Sequence, residues 1–233
     1  SAVRQRINEY RKLFDELFVV VIERKISGIF RAYKEAKKLL APSNLRLNTV
    51  ISTQDPFETG VVGVLLKLKY NLSLQVQLHT DFNNKYFLLS SPFNFIRFFL
   101  GHLILPLADS VRAVSVRVKE NIRELNKNIT VLPIQIESRI MNHELRQNTG
   151  TIRILTAGRL EKEKDIETAI KAFNLISKKY PNTEFIIAGE GRERKNLEKI
   201  ANDKVKFVGW QNDIYNLYWQ ADIYISTSLF EGY

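Results

Sequence analysis

The chain of 233 residues is 45% hydrophobic and 26% charged, ordinary values for a globular protein long enough to bury a core. It contains no cysteine, which excludes a disulfide framework, a thiolate metal site and a cysteine nucleophile, and fits a reducing cytoplasmic setting. The formal net charge of +10 is uneven: residues 1–150 hold 22 Lys/Arg against 13 Asp/Glu, residues 151–233 hold 13 against 12.

The basic first half suits an anionic partner such as a membrane surface, a lipid phosphate or a nucleic acid; it equally suits a merely soluble surface. Residues 1–11 are polar and basic with no apolar core behind them, so no signal peptide is expected there. Strands are then expected at 17–22, 47–52, 74–78, 111–114 and 129–132. Helices are expected at 29–40, 60–68 and 116–125, where apolar residues recur three and four apart. The aromatic stretch 93–107 contains Arg97, His102 and Pro106 and falls short of the roughly 20 apolar residues of a spanning helix. It reads as a buried core helix or as an amphipathic surface helix on a basic domain.

Residues 138–150 are polar, with Asn142, His143, Gln147, Asn148 and Gly150, and read as a linker. The alternation then restarts, with strands at 152–157, 183–188, 205–208 and 223–226 and helices at 165–179, 194–201 and 213–219. Asp165 reads as the N-cap of the first of these helices, with Lys178 and Lys179 in its last turn. Strands alternating with helices imply parallel sheets, hence two Rossmann-like α/β domains, 1–137 and 151–233. Ligand sites are expected just past the carboxyl ends of the strands.

The unusual residues fall at those strand ends. Gly158 and Arg159 follow strand 152–157, and Lys164 precedes a helix. Two cations beside a helix N-terminus make a diphosphate cradle; with Glu161 and Glu163 among them they also read as a solvated charge run. Gly189, Glu190 and Gly191 follow strand 183–188, and Gly209 and Trp210 follow strand 205–208. Such glycines allow a ligand close to the backbone, although Gly-x-Gly is also a common turn. Glu231 follows the last strand, where a carboxylate can hold sugar hydroxyls. In the first half His79 ends strand 74–78 beside Asp81, and Asp55 follows strand 47–52 in a Gln-Asp-Pro segment that reads equally as a turn. No cluster of His and acidic residues suggests a metal site.

Taken in order, Gly158-Arg159-Leu160, Glu163-Lys164, Ala188-Gly189-Glu190-Gly191, Phe207-Val208-Gly209, Ala221-Asp222 and Ser228-x-x-Glu231-Gly232-Tyr233 resemble family 4 of the retaining GT-B glycosyltransferases. Weaker matches in the first half are Asp55, Thr59-Gly60, His79-Thr80, Ala108-Asp109, Val114-Ser115 and Val131-Leu132-Pro133. The resemblance implies a GT-B fold and transfer of a sugar from a nucleoside-diphosphate donor to a glycan or lipid-linked hydroxyl, with retention and without a metal or other cofactor. Arg159 and Lys164 would bind the donor diphosphate, Glu231 the donor sugar, and Gly189–Gly191, Gly209 and Trp210 the nucleoside; His79 would lie near the transferred sugar. It also implies a fragment: the family's first strand is missing, its second motif glutamate would fall at position 239, and its usual glycine after Glu163-Lys164 is Asp165. The partners implied are the donor and the acceptor, with peripheral membrane contact through the basic domain at the inner face of a membrane and no nucleic acid. A sugar-nucleotide epimerase or hydrolase, or a non-catalytic basic binding protein on the same fold, are the alternatives.

Overall fold

The computed structural model describes residues 11–23, 25–41, 49–133 and 150–231. Of the expected linker only Gly150 is among them. In chain order the elements of the first half are α1 (Ile26–Leu39), β1 (Val50–Thr53), α2 (Glu58–Tyr70), β2 (Ser73–Leu78), α3 (Lys85–Ser90), α4 (Phe93–Ile104), β3 (Ser110–Ala113), α5 (Val116–Ile122) and β4 (Ile129–Val131). Then follow β5 (Ile152–Ala157), α6 (Ile166–Lys179), β6 (Thr183–Ala188), α7 (Arg194–Ile200), β7 (Val205–Gly209), α8 (Tyr215–Gln220) and β8 (Ile223–Tyr224). The described residues form two compact units: 11–83 with 93–133, and 84–92 with 150–231. The short helix α3, which the sequence pattern did not announce, thus belongs with the second unit.

The first sheet is parallel and follows sequence order, β1-β2-β3-β4. Crossovers between parallel strands are right-handed, so connections that all step the same way place α2, α4 and α5 on one face. That face carries Leu74, Val76, Leu78, Val111 and Ala113, all essentially inaccessible to solvent. The alternate residues make a polar ladder on the other face: Gln77 Nε2 donates to Ser52 Oγ at 3.0 Å, and Arg112 Nη1 donates to Gln77 Oε1 at 3.4 Å. The period-two run Ser-Leu-Gln-Val-Gln-Leu of β2 therefore puts a polar face on a parallel sheet, a class usually apolar on both faces.

Three expectations for this unit need correction or resolution. Residues 17–22 form no strand; Val20 and Ile22 pack instead against Ala32, Leu40, Val62 and Leu66 of the α1–α2 contact. A β-branched run becomes a strand only where a neighbour takes its backbone hydrogen bonds. Helix α4 is not buried in the core: Phe93, Phe95, Ile96, Phe99 and Leu103 are half exposed or more. Asp55 serves the turn before α2, its Oδ1 accepting from the N–H groups of Phe57 (2.8 Å) and Thr59 (3.2 Å).

The second sheet runs β7-β6-β5-β8, all parallel, so its order reverses at β5. Successive residues of β5 consequently feed two cores. Ile154 joins Ile166, Ile170, Phe173, Phe185, Ile187 and Leu197 on the α6–α7 side. Leu155 joins Ile186 and Ala188 against Ile214, Leu217 and Ala221 on the α8 side. Every element expected over 151–233 is present, with ends shifted by one or two residues.

Candidate functional site

An open parallel sheet offers a crevice beyond the carboxyl ends of its strands at the point where strand order reverses. In the second unit that point lies between β5 and β8. Residues 158–165 leave β5 there, and residues 225–231 leave β8. Thr227 Oγ1 donates to the carbonyls of Lys164 (3.2 Å) and Asp165 (2.8 Å), and the N–H of Leu229 donates to the carbonyl of Glu163 (2.9 Å). These bonds stitch the two segments together although they lie far apart in sequence.

Three of the expected residues converge as a result. Lys164 closes a short 3-10 turn, Lys162–Lys164, and its ammonium forms an ion pair with Glu231. Arg159 is exposed, and its Nη2 donates to Glu163 Oε1 at 2.7 Å. Burial alone would push the Glu231 carboxyl up. Hydrogen bonds from Lys164 and Ser228, with the charges of Lys164 and Arg159, outweigh it and hold the carboxyl below its ordinary range. Glu231 is therefore an ionised acceptor at neutral pH. Each cation here has a carboxylate against it, so an incoming diphosphate competes for positive charge already in place.

Asp165 stands at the N-cap position of α6, but its side chain caps nothing. Its φ of +45° is left-handed, whereas a capping side chain needs an extended backbone to reach the first amides. The Asp165 carbonyl instead accepts from Thr168 N–H at 3.1 Å. The expected carboxylate cap is thus corrected, and the left-handed φ explains why glycine suits this position.

The glycines divide into two kinds. A Cβ on Gly189 would lie 1.8 Å from the carbonyl oxygen of Gly158, and one on Gly191 2.2 Å from that of Leu160. The close approach they permit is to the chain's own loop, which is braced by Gly158 N–H to Ala188 O (2.9 Å), Leu160 N–H to Glu190 O (2.9 Å) and Gly189 N–H to Gly209 O (2.8 Å). Gly158 is different: a Cβ there would meet only the Lys164 side chain, its Cε at an ordinary contact distance of 3.9 Å. Glu190 is ion-paired with Arg194, which also donates to Glu198 Oε1 at 2.8 Å. Trp210 follows Gly209 and is largely exposed.

His79 ends β2, half-buried, in the first unit; it is not brought together with Arg159, Lys164 and Glu231 within one unit. Neighbouring Asp81 is buried, its Oδ2 accepting from Asn121 Nδ2 at 2.8 Å. Sequence reasoning quoted Ser228 within its motif without giving it a role, and missed Thr227 and the Phe87 ring of α3, which packs edge-on against Phe230 with centroids 6.1 Å apart. The position of Thr227 beside Ser228-x-x-Glu231 could have flagged its hydroxyl; nothing local flags a six-residue helix from another part of the chain. Among the described residues no three His, Cys, Asp or Glu side chains gather to hold a metal ion.

Comparison with known proteins bears on the fold. Residues 138–233 match the family of glycosyl transferases group 1. The α-monoglucosyldiacylglycerol synthase of Acholeplasma laidlawii is 35% identical over 92 residues, 36% of this chain and 23% of that protein. A point mutant of S. aureus TarM, solved with fondaparinux, α-GlcNAc-glycerol and UDP, matches with a TM-score of 0.67 at 15% identity, over 88% of this chain and 41% of TarM. Anabaena HepE, solved with UDP and glucose, matches with a TM-score of 0.65 at 16% identity, over 91% of this chain and 60% of HepE. The match spans less than two thirds of the length of each of these proteins. The second unit therefore carries the glycosyl transferases group 1 match over residues 138–233, and the chain's two parallel-sheet units have the GT-B fold of these solved glycosyltransferases.

Proposed function

We propose that the chain forms the donor site and part of the acceptor side of a glycosyltransferase that moves a hexosyl group from a uridine-diphosphate sugar to a hydroxyl of a glycan or lipid-linked acceptor, with retention of configuration. The observation that carries this reading is the convergence of Arg159, Lys164 and Glu231 beside Gly158 where strand order reverses. UDP in both solved neighbours supports the uridine base. The lipid named in the Acholeplasma relative supports a lipid hydroxyl among the acceptors, and the ordered strand-end motifs support retention. The cysteine-free composition supports a cytoplasmic setting, at the membrane face where a lipid-linked acceptor would lie.

In this reading the donor diphosphate lies over Gly158 against Lys164 and Arg159. Breaking the bond between the anomeric carbon and the diphosphate oxygen builds negative charge on the leaving group, and two fixed cations stabilise that charge more than the ground state. Glu231, held ionised, accepts hydrogen bonds from hydroxyls of the donor sugar and fixes its orientation. Gly209 and Trp210 line the nucleoside side, and Glu190 stands between them and the braced loop. His79, at a strand end of the first unit, is the proposed acceptor-side group.

The test is calorimetric titration with UDP, GDP and ADP of the wild type, Arg159→Ala and Lys164→Ala, with circular dichroism to confirm folding. UDP alone should bind the wild type. Lys164→Ala should weaken binding at least about a hundredfold and the more exposed Arg159→Ala about tenfold, the loss of charge-assisted hydrogen bonds to phosphate. Folded wild type that binds no nucleotide, or variants that bind like it, would sink the assignment.

A further inference from the structure

Helix α4 is built inside out. Its polar and small residues point inward: Asn94 and Gly101 are buried, Arg97 donates to Glu58 Oε1 through Nε (3.0 Å) and Nη2 (2.7 Å), and the His102 ring lies 5.5 Å from that of the fully buried Phe82. Ile104 is buried and Phe98 packs against Phe82, but four other large apolar residues point outward. Phe93 is 69% exposed, Ile96 58%, Phe99 65% and Leu103 65%, and their spacing of three, three and four residues makes one continuous stripe. A surface helix normally does the reverse.

The stripe does not stand alone. Helix α2 packs between α4 and α1, and its outward residues include Leu65 and Leu68, 46% and 71% exposed. On α1 the inward residues Ala32 and Leu40 join the core with Val62 and Leu66 of α2. Its outward residues are Phe30, 65% exposed, with Lys34, Lys37 and Lys38, the acid Glu35, and Arg31, which is ion-paired with Glu23 at 3.0 Å. Three neighbouring helices thus present large apolar side chains on one side and a dense row of cations on the other. Helix α4 contains no acidic residue, and Glu58 of α2 is paired inward with Arg97.

We infer that this helical layer of the first unit is an interfacial docking face for an anionic lipid bilayer. Apolar side chains of α4 and α2 enter the region between headgroups and acyl chains, while the cations of α1 lie among anionic headgroups. The two contributions differ in kind, one following buried apolar area and the other surface charge and ionic strength. A bilayer fits this composition better than a protein partner or nucleic acid. A duplex offers nothing to a row of phenylalanines, and the cations sit beside the apolar stripe rather than within it. No helix among the described residues is long and apolar enough to cross a membrane, so the face lies on the bilayer. The inference does not depend on the donor-site reading.

The test is co-sedimentation of the 233-residue chain with vesicles of phosphatidylcholine alone and of equal parts phosphatidylcholine and phosphatidylglycerol. The wild type should bind the mixed vesicles at least about a hundredfold more tightly, less so as salt rises. Ile96→Ser/Phe99→Ser/Leu103→Ser replaces exposed side chains only. It should lower binding to both vesicles at least about tenfold while the thermal transition and UDP titration stay as in the wild type. Lys34→Gln/Lys37→Gln/Lys38→Gln should lower binding to the mixed vesicles alone, by about a hundredfold from three surface cations, and abolish most of its salt dependence. Absence of wild-type binding to mixed vesicles overturns the inference. So does unchanged binding by the serine variant, or sedimentation velocity showing that this variant merely dissolves a dimer of a chain that binds no vesicle.

Discussion

The two sheets have the same number of strands, and all strands in each are parallel, yet they are finished differently. The second reverses its strand order at β5, and the reversal sends helices to both faces: Ile154 and Leu155, adjacent in one strand, enter two separate cores. The first advances in one direction, and its described helices share one face; the other holds Ser52, Gln77 and Arg112 in a polar ladder. The reversal also brings together the loops that leave β5 and β8 at its carboxyl edge, and that is where Arg159 and Lys164 lie. The first sheet, in its described strands, offers a broad helical layer whose outer surface can be given to another task. Topology, rather than strand content, separates the proposed donor site from the proposed docking face.

Substitutions can break or sharpen this contrast. The largest effects belong in the second unit. Gly189→Ala must push a Cβ into the Gly158 carbonyl at a left-handed φ of +137°. It should cost about 3 kcal/mol or more in denaturant unfolding, lowering nucleotide binding with it. Leu155→Ala, which hollows the α8-side core of a fully buried residue, should also cost about 3 kcal/mol. If it costs no more than a polar-face substitution in the first sheet, the second sheet is not covered on both faces.

An intermediate effect is expected at Glu184. Its carboxylate is largely enclosed between Arg153 and Lys206 across β5, β6 and β7. Burial works to raise its pKa, but hydrogen bonds and charge from Lys206 and Arg153 prevail and lower it. Glu184→Gln should cost about 2 kcal/mol. Since the folded pKa lies below the unfolded value, this stabilisation is complete above the unfolded pKa, near the model-compound 4.5, and is lost as pH falls through the folded one. Glu231 follows the same sign. An acid titration of stability should therefore steepen below that pH in the wild type and flatten in Glu184→Gln.

Smaller effects complete the comparison. Gln77→Ala, on the polar face of the first sheet, should cost about 1 kcal/mol, because it removes two modest hydrogen bonds and no core volume. Asp165→Gly should stabilise by up to about 1 kcal/mol in the same unfolding assay, by relieving a left-handed non-glycine residue whose side chain forms no cap. A loss of stability there would mean that the aspartate side chain contributes something other than a cap.

Much of this was legible in the residues. The alternation of β2, the apolar runs of β5 and β6, and glycines placed at strand ends announced two parallel α/β units and put Arg159, Lys164 and Glu231 at strand ends. Other features were illegible for definite reasons. Residues 17–22 have strand composition, but composition cannot supply a pairing partner. Helix α3 is too short to show a period, and its allegiance to the second unit depends on contacts with the distant Lys162–Lys164 turn and with Phe230. Asp165 has the identity of a capping residue, and only its dihedral shows that it does not cap.

The sequence by itself determined which segments are strands and helices in the second half, the sign and placement of its charges, and the order of its strand-end residues, because these follow from local periodicity and local chemistry. The tertiary structure alone decided that the second sheet reverses while the described strands of the first follow sequence order, that Thr227 and Leu229 hold the Lys164 turn, that Gly189 serves backbone packing, and that α4 turns Phe93, Phe95 and Phe99 outward. Each of these depends on which distant segment comes to lie alongside, and no local pattern carries that information.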